Sequence, residues 1–137
     1  MVMQTLTFLS TYTYSSSASG IEIPISLRVG TERAVRLLAK VDTGASFCIF
    51  QRDYAEQLGI EVESGIHERV TTAAGSFDAY GHRLMLSCLD WEFETTVYFA
   101  APPDFPRNVV GRTGWLQHFR LAVIDHDLIL HLSQYDD

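Results

Sequence analysis

From Ile21 onward, apolar and polar residues alternate with a period of two: Ile21, Ile23, Ile25, Leu27 and Val29 are separated by Glu22, Pro24, Ser26 and Arg28. Extended backbone points successive side chains to opposite faces, so this pattern demands a strand with one face buried and the other in water. Gly30, Thr31 and Glu32 read as a hairpin turn, after which Val35, Leu37, Ala39 and Val41 resume the alternation and lead directly into Asp42. Pro24 has no N–H to donate, which places the first run at a sheet edge or a bulge.

The rest of the chain follows the same logic. Further strands are expected at residues 68–73, 77–89 and 91–100, the last with Trp91, Phe93, Thr95, Val97 and Phe99 on one side. Gly75 and Ser76 interrupt two of these with a tight-turn signal, so residues 71–81 read as a projecting hairpin. Residues 52–58 predict a short helix stopped by Gly59. Pro102, Pro103 and Pro106 break the next connection; a second short helix is expected near residues 114–119 and a strand through 121–125. No helix is long enough for a βαβ unit, which leaves an all-β chain. Residues 10–20, rich in Ser and Thr, read as a linker or mobile arm, preceded at residues 5–9 by a short strand of the kind that pairs with another chain. The folded domain is then expected over residues 21–137, with residues 1–20 as an arm and linker.

Composition narrows the function classes. With 47% apolar and 20% charged residues in a chain of 137, a single packed domain is expected. Ten basic against seventeen acidic residues give a net charge of −7, which offers no broad positive field for a phosphate backbone and argues against nucleic acid as a partner. Cys48 and Cys88 are too few for a disulfide scaffold or a thiolate zinc site and read as buried, reduced thiols. The first ten residues lack Lys and Arg and the longest apolar runs are four or five residues, against about twenty for a membrane span. No membrane association and a cytoplasmic setting are the expectation.

The string Val41-Asp42-Thr43-Gly44-Ala45-Ser46 carries the chemistry: an apolar strand delivers a carboxylate onto a turn whose glycine leaves the backbone open to close approach. The bland alternative is an Asx turn or helix cap, with Asp42 satisfying nearby N–H groups. A match of four such residues arises by chance in roughly one chain per hundred of this length. The segment resembles the retropepsin-like aspartic proteases, single-domain relatives of pepsin, in which Asp-Thr-Gly-Ala carries the catalytic aspartate. That family also has an apolar-apolar-Gly element well downstream, and Val109-Val110-Gly111-Arg112 matches its type and order.

The resemblance covers about residues 21–132 and implies a closed, mainly antiparallel β-barrel with one or two short helices, acting as a dimer. Carried over to this sequence, it implies Asp42 as the catalytic carboxylate, Thr43 as a hydrogen-bonding partner across the subunit boundary and Gly44 as a backbone wall of the substrate cleft. Ala45, Val110 and Gly111 would support the site, and residues 71–81 would be the flap, with Thr72, Ala73, Ala74, Gly75 and Phe77 over the substrate. No metal or cofactor is implied. Cleaving a peptide without one needs a carboxylate to deprotonate water and a second acid to protonate the carbonyl oxygen. Two aspartates sharing a proton supply both, because close like charges do not both ionise readily. No second Asp-Thr/Ser-Gly exists in the chain, so a polypeptide-cleaving site requires a twofold homodimer with Asp42 from each copy. Two departures stand out. Retroviral members commonly place an acid directly after Asp-Thr-Gly-Ala, within reach of Arg in the downstream element; Ser46 stands there, leaving Arg112 without that partner. The flap is also less glycine-rich. The rival reading is a noncatalytic peptide-binding or dimerisation module that keeps the cleft.

Other constellations are weaker. Cys48 with one of the histidines resembles a thiol-protease pair, but its neighbours Phe47 and Ile49 favour inert packing. Asp125, His126, Asp127 and His131 lack a metal-ligand spacing and read as a surface turn, and Ser46 lacks a Gly-x-Ser-x-Gly elbow. Trp91, Phe93, Tyr98 and Phe99 are explained by core packing or a dimer surface, whereas Phe77 and Tyr80 on the projecting hairpin are candidates for substrate or opposing-flap contact.

Overall fold

The alternating runs become paired strands in the computed structural model, which describes residues 1–137. The chain starts with β1 (Ser10–Thr13), followed by β2 (Glu22–Val29), β3 (Arg33–Val41), the two-residue β4 (Ile49–Phe50) and the helix α1 (Arg52–Gln57). Three long strands come next, β5 (Ile66–Thr72), β6 (Gly75–Cys88) and β7 (Trp91–Ala100). The chain ends with the two-residue β8 (Val109–Val110), β9 (Phe119–Ile124) and β10 (Ile129–Gln134). Single 3₁₀ turns lie at Val62–Ser64, Leu116–His118 and Asp125–Asp127.

In the β2–β3 hairpin Ile23 faces Ala39, Ile25 faces Leu37 and Leu27 faces Val35, and all six side chains are buried. The hairpin turns through Gly30, whose φ of 64° lies in the left-handed region that favours glycine. Pro24 lies just outside Ile25–Arg28, the stretch of β2 that pairs with β6, so its missing N–H interrupts no ladder there.

The larger sheet runs β2-β3-β8-β4-β7-β6-β5, and the extra β2–β6 pairing joins its ends into a closed barrel with β5 left outside the ring. Every ring strand thereby has a neighbour on both sides, with β8 covering only Lys40 and Val41 of β3 and β4 only Tyr98 and Phe99 of β7. Most ladders are antiparallel, but β3–β8 and β4–β7 are parallel. The long β6 bends from the ring into the hairpin with β5, which projects from the barrel.

A second, three-stranded sheet, β1-β10-β9, packs onto the barrel through the same core. Phe119 joins the layers, with ring centroids 5.7 Å from Trp91, 5.5 Å from Phe93 and 5.4 Å from Trp115. Full burial of a side chain such as Phe119 contributes about 1.5–3 kcal/mol of hydrophobic stabilisation.

This second sheet corrects the reading of the amino terminus. The strand expected at residues 5–9 lies instead at Ser10–Thr13, inside the stretch read as a linker, and it pairs with β10 of its own chain. Thr and Tyr suit an extended backbone, and the hydroxyls that made the segment look solvated are used structurally. Ser10 Oγ donates to the Asp90 carboxylate, and Thr11 Oγ1 lies 2.9 Å from His131 Nδ1. Tyr14, also within that stretch, is buried, and its hydroxyl donates to Asp125 at 2.5 Å. At the other end, the helix expected near residues 114–119 is a single 3₁₀ turn, and β9 begins earlier than expected, at Phe119. No helix of the chain is long and apolar enough to cross a membrane.

Candidate active site

β3 carries Asp42 out of the barrel wall beside β8. Lys40 N–H donates to Asn108 O at 2.8 Å and Asp42 N–H to Val110 O at 3.0 Å, which fixes where the strand ends and the turn begins. The turn then closes on itself: Gly44 N–H donates to Asp42 Oδ1 at 2.9 Å and Ala45 N–H to Asp42 O at 3.1 Å. From below, Arg112 N–H donates to Ala45 O and Thr113 N–H to Ser46 O, both at 2.9 Å. Gly111 sits under this turn so tightly that a Cβ there would lie 2.4 Å from Phe47 O and 2.7 Å from Ala45 O. The two halves of the motif thus form one hydrogen-bonded unit.

Asp42, Thr43 and Gly44 are exposed at the top of that unit, while Val110 and Gly111 are buried beneath it. The Asx-turn hydrogen bond expected of the bland reading is present, yet it occupies only one oxygen of an exposed carboxylate. Asp42, Gly44 and Ala45 form the floor of a cleft of about 410 Å³, under Thr71, Thr72 and Phe77 of the β5–β6 hairpin. Phe105 and Arg107 of the loop after β7 supply a side wall. Asp42 is the only carboxylate lining this cleft.

The hairpin turns through Ala73 and Ala74, two residues earlier than the Gly75-Ser76 signal suggests. Gly75 has φ 130° and pairs with Thr72, and Ser76 pairs with Thr71. Thr72 Oγ1 accepts from Ala74 N–H at 3.2 Å and donates to Gly75 O at 3.0 Å, tying the tip together. Thr72 and Phe77 line the Asp42 cleft, whereas Ala73, Ala74 and Gly75 line an adjoining groove of about 460 Å³ between the tip and the loop at Pro102–Arg107. Tyr80 packs against the core beside His67, with centroids 5.3 Å apart, rather than reaching over the cleft.

Lower on the hairpin, Asp78 Oδ1 lies 2.8 Å from His67 Nε2 and 3.0 Å from Arg69 Nη1. The His67 hydrogen bond first, and then the one from Arg69, hold the Asp78 carboxyl below the usual carboxylate range. The Asp78 carbonyl also accepts from Ala101 N–H at 2.8 Å, which ties the hairpin to the loop forming the wall.

Several cleft residues belong to no motif read from the sequence: Phe47, Ile49, Arg69, Phe105 and Arg107. The proline-flanked Phe105-Pro106-Arg107 was the available hint, since a stiffened loop holds its side chains ready. It is clasped by Gln51 and Asn108: Gln51 N–H donates to Asn108 Oδ1 at 2.9 Å, and Asn108 Nδ2 donates to Gln51 Oε1 at 3.0 Å.

The rival chemistries fare differently. Burial pushes the Cys48 and Cys88 thiols up to about 12, so neither is the thiolate that a cysteine nucleophile requires. His126 Nδ1 contacts its neighbour Asp127 at 2.9 Å, and Asp125 and His131 are engaged by Tyr14 and Thr11. These groups brace a turn and a sheet.

A family model described as aspartyl protease matches residues 25–113, which include both the Asp42 turn and the Val109–Gly111 brace. Among solved structures, the chain is similar to a retropepsin-like aspartic protease from Rickettsia conorii, at 20% identity, with a TM-score of 0.65, over 90% of this chain and 97% of that one. At that identity the likeness shows a shared fold. No curated protein sequence gives a significant match.

Proposed function

The chain belongs to the aspartyl protease family, and from that premise we propose that it is a homodimeric endopeptidase in which two Asp42 carboxylates, one from each copy, activate water to hydrolyse a peptide bond. The observation that carries this reading is the lone, exposed carboxylate of Asp42, held on a braced turn at the floor of a cleft that contains no second acid. One carboxylate takes a proton from water while the other protonates the carbonyl oxygen of the scissile bond, a division that a single copy does not supply. A twofold axis beside Asp42 provides the missing partner.

The same arrangement supports roles for the neighbouring residues. The Thr43 hydroxyl is exposed and makes no hydrogen bond within its own chain, which suits a contact across the subunit boundary. Gly44 and Ala45 offer backbone along the floor, and Val110 and Gly111 hold the turn from beneath. The β5–β6 hairpin acts as the flap, with Thr72 and Phe77 over the extended polypeptide and Ala73, Ala74 and Gly75 at its tip. The two unpaired, buried thiols suit a reducing, cytoplasmic setting.

The test is cleavage of a diverse peptide library from acidic to neutral pH by wild type and Asp42→Asn. The amide retains an oxygen for the Gly44 N–H, so the variant is expected to fold and to lose at least about a thousandfold in kcat, in line with removing a catalytic acid-base group. Cleavage that persists in the variant rules out the assignment. A second reading, a noncatalytic peptide-binding module, draws on Arg112, which has no carboxylate partner beside Ser46. Peptide binding without turnover in either protein would favour it.

A further inference from the structure

We propose that the Asp42 cleft selects peptides that carry an acidic side chain next to an apolar or aromatic residue, and that Arg107 is the residue that reads the acid. The inference rests on the protease reading for its reaction but on separate observations for its specificity. The cleft is lined by two cations, Arg69 and Arg107, and by one anion, Asp42 itself. The chain as a whole carries a net charge of −7. A cleft wall focuses the field of an unpaired cation on it, so a carboxylate-bearing ligand is drawn to such a cation despite the acidity of the whole.

The two arginines differ in availability. Arg69 already lies 3.0 Å from Asp78, and its charge is answered within the hairpin. Arg107 is exposed and forms no ion pair. Its backbone is nevertheless well held: Pro106 precedes it, and Asn108, next in the chain, is clasped by Gln51 on one side and by the Lys40 N–H on the other. A guanidinium on a stiff, anchored loop loses little freedom on engaging a ligand, and its planar fork matches a carboxylate in bidentate fashion.

Position also favours recognition over a general attraction. Arg107 lines both the Asp42 cleft and the groove beneath the hairpin tip, so a ligand side chain aimed at it leads away from the Asp42 floor. Other charges near Arg107 are Asp104 in that groove and Lys40 and Glu22 in a third depression that Arg107 also lines; neither acid forms an ion pair with Arg107. Between the two cavities stand Phe77 and Phe105, with ring centroids 4.7 Å apart and both half-buried. They offer an apolar surface beside the guanidinium, which supplies the second half of the preference.

The experiment uses the full chain and peptide sets that differ only by Glu, Gln or Lys at each position around the scissile bond. Wild type is expected to favour Glu over Gln at one position by about two- to fivefold in kcat/KM, as for a solvated charge pair. Arg107→Gln is expected to abolish that ratio, and Arg107→Glu to turn it toward Lys. Cleavage with no acidic preference, or with a preference that both variants keep, overturns the inference while leaving the protease reading intact. If wild type cleaves nothing, the protease reading fails and the subsite is read by binding. In that arm, a labelled Glu peptide that binds Asp42→Asn more tightly than its Gln twin, with the difference lost on adding Arg107→Gln, supports it; equal binding overturns it.

Discussion

The backbone N–H of Asp42 donates to the carbonyl oxygen of Val110 at 3.0 Å, so the proposed catalytic turn and the downstream Val109-Val110-Gly111 element stand or fall together. The contact closes because Gly111 has no side chain: its missing Cβ would lie 2.4 Å from the Phe47 carbonyl oxygen. Both neighbours there are backbone, which cannot swing aside as a flexible side chain does. Gly111→Ala is therefore expected to lower stability by about 2–3 kcal/mol, as overpacking of a tight site does. Urea unfolding would show a lower midpoint with an unchanged slope. An unshifted midpoint would mean that the Asp42 turn does not rest on Gly111.

Asp78 makes the hairpin sensitive to acid. Its folded-state value is lowered beneath the ordinary 3.8, first by His67 and then by Arg69. The stabilisation is therefore fully present above that ordinary value and is lost as pH falls through the lower, folded one. Wild type should exceed Asp78→Asn in Tm at neutral pH, and the two should converge in strong acid, where Asp78 is protonated. Hydrogen exchange in β5 and the first half of β6 should rise in the variant at neutral pH but not in the barrel strands β2 and β3. A Tm gap that stays constant with pH would remove Asp78 as the titrating group.

Cys48 and Cys88 are both buried and unpaired, and desolvation alone is the leading cause of their raised values of about 12. Native protein is expected to react with a thiol reagent about a thousandfold or more slowly than urea-unfolded protein, since access requires unfolding. Peptide cleavage should be indifferent to iodoacetamide. Rapid modification of Cys48 in the native state would displace it from the core.

How much of this was legible in the sequence depended on whether a residue's role is local. Ile23, Ile25 and Leu27 announced their strand because a half-buried ladder imposes alternation, and Asp42 was marked by the strand that delivers it. β4 and β8 carry two residues each, too few for any period, and their parallel partners lie far along the chain. The β1 strand was hidden because Ser10 and Thr11 look solvated until Asp90 and His131 are brought against them. Arg107 illustrates the same limit at the site: a lone arginine in a proline-rich loop becomes part of a cleft only once Gln51 and Asn108 fold that loop against the barrel.

Ser46 and Arg112 are the place where this chain departs from the retroviral pattern, and their geometry makes the departure testable. Phe47 and Thr113 form a parallel bridge, so the preceding residues, Ser46 and Arg112, lie side by side on one face, and both line the same surface depression. Arg112 is exposed and has no carboxylate partner. Ser46→Asp would place one beside it at the distance that neighbouring strands impose. An exposed pair of this kind contributes about 0.2–1 kcal/mol, so the unfolding midpoint should rise slightly at low salt. Because the pair is solvated, the gain should shrink in concentrated salt. Adding Arg112→Ala should cancel it, since the double-mutant cycle isolates the coupling. A gain that survives both salt and the loss of Arg112 would arise from the turn itself, through an added acceptor for the N–H groups around Asp42, and would show that the missing acid has no bearing on Arg112.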